Sequence, residues 1–111
     1  MTQIDPHADI DIGKHDDHVT VRIPLDGDVS QLWHRRYLAL ARAKDVPARV
    51  QELPGRTWIV VTMPLSTDRA EVHATMDAAR SLITGADIAE QSTAAAETEA
   101  LVREWWTHQT S

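Results

Sequence analysis

Two stretches of the chain share one pattern of apolar and polar positions. Val19 to Asp28 reads VTVRIPLDGD and Ile59 to Asp68 reads IVVTMPLSTD, forty residues apart throughout. Each is a β-branched run with period-two alternation, closed by Pro-Leu and followed by an aspartate suited to a helix N-cap. The same offset aligns Ala8 to Ile12 with Ala48 to Glu52, and the helix starting at Asp28 with the one starting at Asp68. The halves 8–44 and 48–84 therefore read as internal repeats of strand, turn, strand, helix. In the second half the turn is explicit, since Leu53-Pro54-Gly55-Arg56 carries Pro and Gly at the central positions of a type II turn. The first half has Gly13-Lys14-His15-Asp16 there.

Two ββα units in succession predict an α+β domain spanning 1–111, with a four-stranded antiparallel-type sheet and two helices on one face. The long strands, 19–25 and 58–65, are expected to lie parallel at the centre, with 8–12 and 48–52 at the edges. In topology alone this resembles a ferredoxin-like fold, circularly permuted so that its last strand comes first. That architecture hosts many functions. A third, extra C-terminal helix is expected over 93–109, where Ala94, Thr98, Leu101, Val102 and Trp105 form one stripe at 3.6-residue spacing with Trp106 beside it. Gly85 reads as a stop signal ending the second helix before it.

Alternation sorts the strands into two faces. Ile10, Ile12, Val19, Val21, Ile23, Val50, Ile59, Val61 and Met63 form the expected core with Val29, Leu32, Trp33, Leu40, Val72, Met76, Ala79 and Ile83 from the helices. The other face is polar except for Trp58 and Val60. A Trp ring left in water forfeits roughly 2 to 3 kcal/mol of burial energy. The third helix is therefore expected either to fold back over that face or to pack on another subunit.

Composition narrows the functional classes. With 42% hydrophobic and 25% charged residues, the 111-residue chain has the make-up of a globular domain, and no apolar run approaches the ~18 residues of a membrane span. A formal charge of -6 with only two lysines argues against a nucleic-acid surface. The acidic start lacks an apolar signal core, so a cytoplasmic protein is expected. Without cysteine there are no disulfides, thiolate metal sites or cysteine nucleophiles.

Candidate chemistry is sparse. In GKHDDHV, residues 13–19, Asp16-Asp17 as the two loop residues would set His15 against His18, about 5 Å apart at Cβ and close enough to share a metal. If the turn instead follows its repeat counterpart, Lys14-His15 is the loop and His18 faces Asp11, a carboxylate able to orient the imidazole. The repeat favours the second register. Since Gly55 to Trp58 supplies no further ligands, no metal or cofactor is expected. Arg36 is placed on the inward stripe of its helix between Leu32 and Leu40. There its guanidinium must snorkel, find a carboxylate, or receive an anion, with Tyr37 and Trp33 as neighbouring anchors.

No nucleotide-binding, metalloprotease or nucleophile-elbow motif occurs. The expected function is therefore a small non-enzymatic protein acting through protein contact, as a homodimer, with Trp58, Val60, Leu101, Trp105 and Trp106 at the interface. The alternative is a small-molecule-binding or catalytic domain using the open sheet face, with Asp11 and His18, or a pocket at Arg36.

Overall fold

The computed structural model of the chain describes residues 1–110. Among these, β1 (Gln3–Ile4), β2 (Asp11–Lys14), β3 (His18–Asp26), β4 (Ala48–Leu53) and β5 (Arg56–Pro64) form one antiparallel sheet, with α1 (Gln31–Ala43) after β3 and α2 (Arg69–Thr110) after β5. The architecture is α+β, and about half the residues are helical. β3 and β5 sit at the centre, with β4 outside β5 and both β1 and β2 along the free side of β3.

The central pair is antiparallel, not parallel as the repeat implied, with Val19 opposite Met63 and Ile23 opposite Ile59. The reason is connectivity. β4 follows α1 and runs parallel to β3, and the two-residue Pro54-Gly55 turn sends β5 back between them. Gly55 has φ +85°, as the expected type II turn requires. The expected edge strand at 8–12 is displaced to Asp11–Lys14, and a second short strand, Gln3–Ile4, lies outside it. β2 pairs with Val19 to Arg22, β1 pairs with Leu25 and Asp26, and residues 5–10 bridge the two.

One cluster of side chains forms the core: Val21, Ile23, Leu25, Val50, Ile59, Val61 and Met63 from the sheet, Trp33, Tyr37 and Ala41 from α1, and Ala79, Leu82, Ile83 and Ala86 from α2. The alternation of the central strands thus places their side chains as expected. Ile10 and Ile12 do not join them, being 46% and 52% exposed. α1 packs on β4 and α2 on β5, so neither helix reaches the β2 edge.

α1 starts two residues later than expected. Ser30, not Asp28, caps it, its side chain accepting a 3.0 Å hydrogen bond from the Trp33 backbone N–H. It ends in a Schellman turn, with Val46 N–H donating to the Ala41 carbonyl at 2.8 Å and Asp45 in the left-handed region at φ +54°. α2 is capped by Asp68 as expected, its carboxylate accepting from the Ala70 and Glu71 N–H groups at 3.0 and 3.4 Å.

α2 does not stop at Gly85. It runs unbroken for 42 residues, so the separate C-terminal helix and its link are one element with the second helix. At 1.5 Å per residue such a helix is ~63 Å long, which accounts for the 66 Å long axis of the molecule. Gly85 serves close packing, since a Cβ there would lie 3.2 Å from Leu40 Cδ1 of α1. Long as it is, α2 is not apolar enough to cross a membrane, and the same holds for every helix among the described residues.

Candidate functional site

The hairpin tip takes the first register. Lys14 pairs with Val19, and the His15 N–H donates to the His18 carbonyl at 3.0 Å, leaving Asp16-Asp17 as the loop. The expectation that His18 faces Asp11 is therefore corrected. Asp11 lies opposite Arg22 and accepts from its guanidinium at 3.3 Å. A two-residue loop lets the ladder close right up to the turn, whereas the alternative would place Ile12 opposite Asp17 and lose its Val21 partner. The two imidazoles stack at 4.3 Å with 14° between their planes. A metal lies in the plane of each imidazole that binds it, and two nearly parallel planes share no such point. Among the described residues no three His, Asp or Glu side chains converge on a metal-binding position. His18 Nδ1 instead donates to Asp17 at 2.6 Å, and this hydrogen bond holds the Asp17 carboxyl below the ordinary aspartate range.

The open sheet face seals itself. Val60, flanked in register by Arg22 and Arg49, is 0% exposed. Arg22 on β3 reaches across β5 to donate to Gln51 on β4 at 3.2 Å, so its side chain arches over the row that holds Val60. The Arg56 guanidinium lies 5.7 Å from the centre of the Trp58 ring and is anchored by Asp5 at 3.0 Å. These two arginine side chains lie over the apolar island, so of the two expected positions of the C-terminal helix, folding back over this face is not the one adopted.

Arg36 is not on the buried stripe of α1. That stripe is Trp33, Tyr37 and Ala41, one position around the helix from the expected one. Hydrogen bonding explains the rotation. The Tyr37 hydroxyl donates to the Ala79 carbonyl at 2.8 Å, and the Trp33 indole N–H donates to Asp87 at 2.7 Å. Burial pushes the Tyr37 phenol well above its ordinary pKa. Tyr37 and Trp33 are thus core residues satisfied from within, their rings stacked at 5.3 Å. Arg36 lines a shallow surface recess with Leu32, Arg35, Ala39 and Glu97, and its buried Nε makes no hydrogen bond. The Glu97 carboxylate at that recess opposes an anionic ligand.

Asp87 carries a polar knot that the sequence reading missed. Besides Trp33, the Thr2 N–H and hydroxyl donate to it at 3.0 and 2.6 Å, tying the start of the chain to α2. Partial burial alone would raise its pKa, but the hydrogen bonds from Thr2 and Trp33 hold it below the ordinary value.

Among the described residues, several exposed large apolar side chains gather on the second half of α2. From Ala94 to Gln109 every side chain is exposed, including Leu101 at 65%, Val102 at 57%, Trp105 at 59% and Trp106 at 60%. Further back, three adjoining recesses run along one side of α2. Their far wall is the β2 edge with Ile10 and Ile12, then the N-terminal residues Thr2 to Ile4. On α2 itself they are lined by His73, Met76, Arg80, Ile83, Asp87 and Gln91. The same spacing of three and four continues through Ala94, Thr98, Leu101 and Trp105. One seam therefore runs the length of α2, sunk in a furrow in its first half and standing as a ridge in its second. Only the second half of that seam was legible as a stripe, because Gly85 read as a stop and Arg80 and Asp87 interrupt its apolar character.

Compared with known proteins, the chain matches no family model, no curated protein and no solved structure.

Proposed function

We propose that this protein acts through protein–protein contact as a homodimer, with the projecting half of α2 as its contact element. The observation that carries this reading is the exposure of Leu101, Val102 and Trp105 on a helix that its own domain leaves uncovered. The patch they form with Trp106 is on the order of 500 Å², toward the upper end of what a monomer exposes, and patches of that size are often functional. Tryptophan in such a patch is a common anchor of an interface. The sealing of the open face over Val60 and the core roles of Tyr37 and Trp33 weigh against the small-molecule alternative at the positions first considered for it. We read the strand order, with both helices on one face, as a circularly permuted ferredoxin-like sheet with β1 added; this carries no functional weight.

Size-exclusion chromatography with light scattering on the full chain tests the proposal. The expected mass is twice the 12.4 kDa of one chain. Replacing Leu101 and Trp105 by serine should yield a monomer with unchanged circular dichroism. A wild-type chain that stays monomeric at tens of micromolar, the range where weak but specific dimers form, counts decisively against it.

A further inference from the structure

We infer that two copies pair antiparallel about a two-fold axis near Glu90 and Gln91, the ridge of each chain lying in the furrow of the other. This rests on the homodimer reading and specifies its geometry. The ridge and the furrow lie at opposite ends of one straight helix, so a chain cannot bring its own ridge into its own furrow. A two-fold axis midway between them satisfies both at once, as an isologous interface requires. The furrow is long enough: its α2 side from Val72 to Gln91 spans ~28 Å, and the ridge from Ala94 to Trp105, at ~17 Å, fits within it.

The chemistry agrees as well. Antiparallel pairing about that axis sets Trp105 against Met76 and beside Ile10 and Ile12, whose exposed side chains have nothing else over them. Leu101 falls on the aliphatic stem of Arg80. A parallel pairing in register would instead stack Arg80 on Arg80 and Asp87 on Asp87 and leave both furrows empty. Two such contacts, each adding the furrow wall to the apolar ridge it receives, are of the size class of a specific interface, roughly 1,600 Å² in total. This is helix-in-groove recognition with a second copy as the occupant.

The chain has no cysteine, which makes cross-linking clean. Three full-length single variants, Gln91→Cys, Arg80→Cys and Leu101→Cys, all at exposed positions, are checked by light scattering when reduced and then oxidised gently with glutathione. Gln91→Cys, near the axis, should form a disulfide-linked dimer by itself. Arg80→Cys and Leu101→Cys should each give at least tenfold less alone, yet cross-link to each other when mixed. If the reduced variants are dimers but Leu101→Cys links to itself as readily as Gln91→Cys, the antiparallel arrangement is overturned while the homodimer reading stands. Monomers throughout, wild type included, overturn both.

Discussion

The Tyr37 hydroxyl donates a 2.8 Å hydrogen bond to the backbone carbonyl of Ala79, joining α1 to α2 through the middle of the core. Tyr37 has no exposed surface, so this bond fixes the rotation of α1 about its axis. Tyr37→Phe keeps the ring and removes the donor. The carbonyl still has its own helical partner, so the expected cost is about 1 kcal/mol, read from urea denaturation. No change in stability would mean that packing alone sets the helix rotation.

Asp87 gives the fold an acid-sensitive contact. Its carboxyl is held below the ordinary aspartate pKa, so it is deprotonated more readily in the folded chain than in the unfolded one. The stabilisation is therefore complete above the unfolded value of about 3.9 and is lost as pH falls through the lower folded value. Asp87→Asn should be less stable than wild type at pH 7, with the difference shrinking as the solution is acidified. Asp87→Ala, which leaves the buried Trp33 indole N–H without an acceptor, should cost more, about 2 kcal/mol. Denaturant midpoints across the acid range, at matched ionic strength, check both.

Asp45 occupies the left-handed position at the end of α1, where glycine meets no Cβ penalty. Asp45→Gly should raise stability by roughly 0.5 kcal/mol, the relief in the folded state being partly offset by a more flexible unfolded chain. A lower melting temperature would indicate that the aspartate side chain makes a contribution of its own there.

Val60 distinguishes the sealed sheet face from an open one. On an exposed face Val60→Thr would be almost neutral, since threonine suits a strand. With Val60 fully enclosed, the added hydroxyl must be buried without a partner, and the expected cost is about 1 to 2 kcal/mol. Arg22→Ala, which removes the arch to Gln51, should bring the two residues closer to equal. A double-mutant cycle in urea provides the measurement.

The stacked rings of His15 and His18 set a further expectation. Because their planes are nearly parallel, saturating zinc should leave the melting temperature unchanged. A rise that His18→Ala abolishes would show that the rings swing apart to bind.

How much of this was legible in the sequence follows from the range of the interactions. Period-two alternation marked the central strands, and Pro54-Gly55 marked the β4–β5 hairpin, because both are set by the residues themselves and their immediate neighbours. The ridge at Leu101 and Trp105 was visible for the same reason. Strand direction, the cap at Ser30 and the rotation of α1 were not, since Asp28 and Ser30 are both good caps and Arg36 and Tyr37 differ by one position. Tertiary partners decided them: Ala79 and Asp87 supply the acceptors that draw Tyr37 and Trp33 inward. Gly85 shows the limit most clearly. Taken locally it ends a helix, yet the approach of Leu40 makes it a packing position, and the helix that continues through it turns an isolated stripe into a seam along all of α2. The sequence by itself determined which residues are apolar and at what period; only the tertiary structure decided which of those surfaces the chain covers itself, because coverage depends on where two helices end relative to one sheet.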